Sequence, residues 1–321
     1  MRKILLFVAT AVSTVGLAKI KLNSLEIRTS LKSNDPGTSN TDPTFGFSLD
    51  RAMWVQEGYI PDTDFNYSFE VNFDNQTSGM TARHIDASYT HGMHTFTAGM
   101  KDNLIGGADY AFQEEIERPF YMSIVFSTWD KLNLRLPGIY YTLAGDAWGS
   151  FTVGAHNDNG LDAAVDKVSY FNEFRGSFIN ASLKPIIQYQ QFNKVRDDYA
   201  FINSYFSAGI IWDSELGLDL GFTYNLNINE ANTPAGNDVE NTEFAVNVLY
   251  EVNSLRPYFN WGQNTFKNGP SGVVTTTMDI GILYDIHEKV SLQFDYNTME
   301  TNINGAPKTT EWSIALNSVV M

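Results

Sequence analysis

Between Asp102 and Thr128 the sequence reads DNLIGGADYAFQEEIERPFYMSIVFST, with Asp102, Asp109, Glu114, Glu115 and Glu117 against one base, Arg118. The segment has a net charge of -4 and is longer than connections usually grow without a function. Gly106 and Gly107 are hinge points at which it could fold back. Folded into a water-filled bore, its carboxylates would narrow the passage and act on solutes through the field they set. Left outside, the same charges would only keep a loop solvated; the inward placement is the one expected here.

Other chemistry finds little support. His91 and His94 have a spacing that could suggest a metal pair, but the segment reads as a turn, and zinc needs three or four ligands. The other histidines, His84, His156 and His287, single out no site. No GxSxG, HExxH, P-loop or dinucleotide fingerprint occurs. There is no Cys, which removes disulfides, thiolate metal sites and cysteine nucleophiles together. The expectation is a protein that is not an enzyme and holds no cofactor or metal.

The elements that must position these charges are written in the composition. The 321 residues are 43% hydrophobic and 14% aromatic, yet only 18% charged. A mean hydropathy of -0.22 is too polar for a bundle of membrane helices. A transmembrane β-barrel reconciles these values, because alternate residues face lipid and water. The net charge of -16 argues against nucleic acid as a partner.

Residues 1–18 read as a secretory signal. Arg2 and Lys3 precede the uncharged run Ile4 to Leu17, and Gly16-Leu17-Ala18 puts small residues where a peptidase reads. A run of this length is too short for a spanning helix. The remaining domain, residues 19–321, has 37 acids against 19 bases, net -18.

Along that domain apolar residues alternate with polar ones. Phe65, Tyr67, Phe69, Val71 and Phe73 oppose Asn66, Ser68, Glu70 and Asn72; Leu218, Leu220, Phe222, Tyr224, Leu226 and Ile228 oppose Asp219, Gly221, Thr223, Asn225 and Asn227. Short connections at Glu57 to Asp62, His91 to Met93, Ala144 to Ala147, Leu183 to Pro185, Ser214 to Leu216, Asn253 to Leu255 and Ile286 to Glu288 alternate with longer polar ones. The longer ones are Ser30 to Pro43, Asp74 to Met80, Asp102 to Thr128, Asn157 to Lys167, Asn193 to Ala200, Asn229 to Asn241, Lys267 to Gly272 and Glu300 to Pro307. The prediction is an all-β fold: one transmembrane antiparallel barrel of about sixteen strands, with tight periplasmic turns and longer extracellular loops. A soluble β-sandwich would alternate too, but its loops need not alternate in length.

Aromatics near the strand ends, among them Trp54, Tyr89, Phe96, Tyr141, Trp212, Tyr250, Tyr258 and Tyr284, suit the two interfacial girdles of such a barrel. The opposite parity supplies the expected pore lining: Arg51, Glu70, His84, Asp86, Lys101, Glu173, Arg175, Asp219, Glu243, Asp279 and Asp295. The expected constriction is Asp109, Glu114, Glu115, Glu117 and Arg118.

The segments FSLDRAMWVQEGY (residues 47–59), NYSFEVNFD, ARHIDASYTHGMHTFTAGMKDN and EEIERPF occur in an order that resembles the amino-terminal half of the phosphate-selective porin O and P family. The resemblance implies a sixteen-stranded barrel, a homotrimer, with its third loop folded inward. Arg51, Gly99, Lys101, Glu117 and Arg118 have counterparts in that family's pattern. The family's phosphate selectivity depends on an arginine ladder and a lysine cluster. Here the wet parity offers only Lys101 and Arg175, with Arg51, Arg118 and Arg135 of undetermined facing. The chain also ends in Met321, where barrel proteins generally carry an aromatic residue read by the assembly machinery.

Together these features predict an outer-membrane diffusion channel for small hydrophilic solutes or ions, preferring cations. Its expected partners are outer-membrane lipid and the barrel assembly machinery. The other readings are a closed barrel serving as an adhesin or structural protein, an anion- or phosphate-selective porin, and a secreted soluble lectin-like β-protein.

Overall fold

A computed structural model describes residues 19–35, 44–74, 79–102, 135–157, 168–196, 199–231, 239–268, 271–303 and 308–320. They form sixteen strands. The first eight are β1 (Lys19–Asp35), β2 (Thr44–Tyr59), β3 (Phe65–Asp74), β4 (Gly79–His91), β5 (His94–Asp102), β6 (Arg135–Gly145), β7 (Gly149–Asn157) and β8 (Val168–Gly176). They continue with β9 (Leu183–Arg196), β10 (Tyr199–Asp213), β11 (Leu218–Ala231), β12 (Val239–Tyr250), β13 (Leu255–Asn268), β14 (Ser271–His287), β15 (Val290–Thr301) and β16 (Thr309–Val320). Each strand pairs with its neighbours in chain order, all antiparallel, and β1 pairs with β16 to close an all-β barrel. The residues read as an export signal, 1–18, lie outside the described residues.

The two faces are opposite in character to those of a soluble sheet. Along β11, Phe222 is 47% exposed while its neighbours Gly221 and Thr223 are buried. Ile280, Phe294 and Ile314 continue the exposed apolar face on β14, β15 and β16. In a closed barrel the convex side is the exposed one, so the outer surface is apolar and the inner polar. Burying that outer band in hydrocarbon is what makes the pattern stable, since a monomer in water rarely exposes so extended an apolar surface.

The short connections lie at one end of the barrel. Residues 253 and 254 make a two-residue hairpin between the mutually bonded Val252 and Leu255, with Asn253 left-handed at φ 54°. The His91/His94 segment is indeed a turn, with Gly92 at φ +59°. Lys19 of β1 pairs with Tyr59 at the same end.

Several boundaries differ from expectation. The turn expected at Leu183 to Pro185 lies at residues 177–182. There Ile179, Asn180 and Ala181 are all left-handed, and Leu183 and Pro185 already belong to β9. The long connections expected from Ser30 and from Asn193 shrink, because β1 continues to Asp35, β9 to Arg196, and β10 begins at Tyr199. Backbone pairing needs no apolar side chain, so these strands extend past the apolar band into polar sequence.

Most of the proposed girdle is on the outer face, with Phe96, Trp212, Tyr250 and Tyr284 exposed and Phe96 in ring contact with Tyr141 at 5.1 Å. Tyr258 is not there. It is 4% exposed and shares the inner face with Asn260, because Gly281 opposite leaves room for its ring.

Candidate functional site: the inner wall

The inner wall is built by register. Directly opposed residues share a face, so rows of side chains run around the barrel perpendicular to the strands. One such row is Asp219, Leu249, Tyr258, Gly281, Asp295 and Ser313 across β11 to β16.

Of the expected lining residues with described side chains, Glu70, Asp86, Glu173, Arg175, Asp219, Glu243, Asp279 and Asp295 fall on this parity. Glu70 lies opposite His84, and Asp86 opposite Gly99. Arg51 lies opposite Arg28, and Lys101 opposite Leu136. The side chains of Arg51, His84 and Lys101 lie outside the described residues, as do Asp109, Glu114, Glu115, Glu117 and Arg118 of the expected constriction.

Two expected lining residues meet. Arg175 Nε lies 2.9 Å from Glu173 Oε1, and Gln188 Nε2 donates to Glu173 Oε2 at 2.5 Å. The arginine's charge is thereby largely compensated on its own strand. Glu243 accepts from Asn225 Nδ2 at 3.0 Å.

Asp295 is the hub of a buried network. Ser313 Oγ donates to it at 2.9 Å, Gln293 Nε2 donates at 2.9 Å, and Arg28 Nη2 stands 3.8 Å away. Arg28 Nη1 also donates to Gln293 Oε1 at 2.9 Å, and Gln293 Nε2 reaches the Tyr258 hydroxyl at 2.8 Å. Acids lining a water-filled bore would be hydrated, but Glu243, Asp279 and Asp295 are each 2% exposed. Tyr258, Gln293 and Leu283 on the same wall are themselves buried, with Gln293 bonded to both Tyr258 and Asp295.

At the short-turn rim, Lys184 Nζ bonds Asp213 Oδ2 at 2.8 Å, and Arg256 grips Asp285 through both Nε and Nη2. His91 Nδ1 lies 3.5 Å from Asp64 Oδ2, an acidic partner 27 residues away in sequence. Among the described residues no group of three His, Asp or Glu could hold a metal ion.

Reasoning from charge passes over the carboxamides. Asn225, Asn227, Asn241, Asn247, Asn260 and Asn264 all lie on the inner face of β11, β12 and β13 and are buried. Their signal in the sequence is asparagine recurring on the polar parity of three consecutive strands.

No family model and no curated protein sequence matches this chain. Solved structures do. An anion-selective porin from Comamonas acidovorans matches with TM-score 0.75 at 9% identity, covering 94% of this chain and 100% of that one. A loop L8 deletion mutant of OmpT, an outer membrane protein of Vibrio cholerae, matches with TM-score 0.71 at 15% identity, covering 95% and 100%. The outer membrane channel DcaP of Acinetobacter baumannii matches with TM-score 0.68 at 12% identity, covering 95% and 98%. At these identities the likeness is one of architecture: the chain has the closed antiparallel β-barrel fold found in bacterial outer-membrane porins.

Proposed function

We propose that this chain is an outer-membrane porin, a passive diffusion channel for small hydrophilic solutes and ions with a preference for cations. The observation that carries the reading is the inverted barrel: an exposed apolar outer face around an inner face of Asn, Gln, Ser, Thr, Asp and Glu. Only lipid outside and polar contents inside give both faces a favourable environment. In this reading residues 1–18 direct export, the short turns face the periplasm, and the channel is a homotrimer.

Cation preference follows from the excess of acids. The inner face carries Glu70, Asp86, Glu173, Asp219, Glu243, Asp279 and Asp295, and the chain as a whole is at -16. Confined carboxylates raise the local concentration of cations and oppose anions. Glu114, Glu115 and Glu117 form the acidic side of the constriction in this reading and Arg118 its basic side. Transport needs no covalent step, so the channel is not an enzyme.

The test is single-channel recording in a planar bilayer under a salt gradient. A cation-directed reversal potential that shrinks in the E114Q/E115Q/E117Q variant supports the assignment, and an unchanged potential removes the constriction. The sequence resemblance to phosphate-selective porins O and P carries the anion reading, which block by added phosphate would restore. Folded protein without conductance would favour an adhesin or structural barrel.

A further inference from the structure

The inner wall is not equally wet all round. On β4 and β5, Ser88 and Thr97 lie three residues from the strand ends at the short turn, and Asp86 lies five; all three are partly exposed. Eight strands away, and so across the barrel, β12 and β13 carry Asn247 and Asn260 three and five residues from their own short turn, 0% and 5% exposed. Gln293 and Asp295, three and five residues into β15, are 0% and 2% exposed. The distances from the short turns are matched, so the difference belongs to the walls themselves.

The two walls also differ in composition. From β3 to β6 the inner parity is short and hydroxylated: Ser68, Ser88, Thr90, Thr95, Thr97 and Thr142, all partly exposed. Such side chains end close to the backbone, and a hydroxyl bonds water as readily as it bonds its neighbour. From β11 to β16 the same face carries longer amides and a phenol that bond sideways: Asn225 to Glu243, Asn247 to Asn260, and Gln293 to both Tyr258 and Asp295. These groups are buried, and the acids among them are out of contact with solution. Coulomb attraction falls with distance, so a hydrated ion responds most to a carboxylate that it can touch. Asp86 can be touched. Asp295 cannot, and Arg28 Nη2 at 3.8 Å answers its charge.

We infer that ions cross this barrel along its β3–β6 wall and that Asp86 on that wall sets the charge preference, while the β11–β16 wall is a dry brace. The inference deepens the diffusion-channel reading and rests on it. It divides the acids of the inner face by role: Asp86 meets the passing ion, whereas Glu243 and Asp295 hold their own wall together through Asn225, Gln293 and Ser313.

The chain has no Cys, so one introduced thiol is the sole target of a thiol reagent. S88C and T97C occupy directly opposed positions on the β4–β5 wall, and T223C and A245C occupy opposed positions on the β11–β12 wall. Each wall thus has two variants, each shown to be folded by heat-modifiable gel migration. The probe is the cationic reagent trimethylammonioethyl methanethiosulfonate, added to the folded full-length barrel in a planar bilayer. Single-channel conductance should fall in S88C and T97C and hold in T223C and A245C. Without reagent, D86N should move the reversal potential under a salt gradient towards anions, and further than E243Q does. No fall in S88C and T97C, a fall in T223C or A245C at the rate seen in S88C, or a shift in E243Q at least as large as in D86N would overturn the path and leave the channel standing. Folded protein without any salt conductance would instead overturn the channel reading. Mass spectrometry of the vesicle-embedded variants after the reagent then decides the walls separately: labelling of S88C and T97C alone upholds the division, and equal labelling of all four ends it.

Discussion

Tyr258 lies across Gly281, its directly opposed partner on the next strand, so closely that a Cβ at that glycine would collide with the phenol ring and hydroxyl. The missing side chain lets the tyrosine lie along the wall and carry its hydroxyl to Gln293 on β15. Replacing Gly281 with Ala should therefore push the ring out of its seat and cost about 1–3 kcal/mol, the usual penalty for overpacking. Urea unfolding of the protein folded into lipid vesicles would register this as a lower midpoint at unchanged slope. Tyr258→Phe should cost less, about 1 kcal/mol, because the ring keeps its seat and the hydroxyl's bond to Gln293 is what goes.

Two ion pairs on the same barrel should respond very differently to deletion. Arg28 and Asp295 have side chains 4% and 3% exposed, so R28M leaves a buried carboxylate short of its cation. Its cost should be about 3–5 kcal/mol. Lys184 and Asp213 at the rim are each more than two-fifths exposed, and K184A should cost under about 1 kcal/mol. Vesicle-based urea titration of the two variants, run side by side, tests the contrast; equal losses would contradict the burial assigned here.

The outer face makes its own prediction. Phe222 belongs to the exposed apolar band, and F222R should lose about 2–4 kcal/mol if the position sits near the bilayer midplane. Leu216 is 84% exposed but lies in a short turn, and L216R should change stability by less than about 0.5 kcal/mol. Folding yield into vesicles, read from heat-modifiable gel migration, separates a lipid-facing position from a merely exposed one.

Selectivity can be probed at a described pair. Arg175 is held by Glu173, so E173Q should release a positive charge into the lumen and move the reversal potential towards anions. R175Q should move it the other way. Shifts of the same sign in both variants would show that the pair does not face the conducting path.

Much of this architecture is legible because a strand's two-residue period survives translation into sequence. Leu220, Phe222 and Tyr224 against Gly221, Thr223 and Asn225 identify β11 and its faces without any structure. What composition hides is pairing beyond the apolar band: Asn193, Lys194 and Arg196 look like loop residues, yet the backbone ladder extends through them. The turn at 177–182 is opaque for another reason. Its three left-handed residues, Ile179, Asn180 and Ala181, include no glycine to announce them.

Tyr258 shows the limit for side chains, since an aromatic near a strand end reads as a girdle residue until the glycine opposite is known. The inner wall was legible as polar, but only three dimensions separate acids compensated by neighbours, such as Asp295, from amides left without partners, such as Asn227.

The seam between β1 and β16 carries a consequence for biogenesis. Residues near the start of the domain, Leu25 to Asp35, pair on one side with β2 but on the other only with the last strand, Thr310 to Val320. Until that strand arrives, the growing sheet has two bare edges that hydrocarbon will not tolerate. Closure therefore waits for the far end of the chain: the barrel can lose its open edges only when the sixteenth strand is present to meet the first.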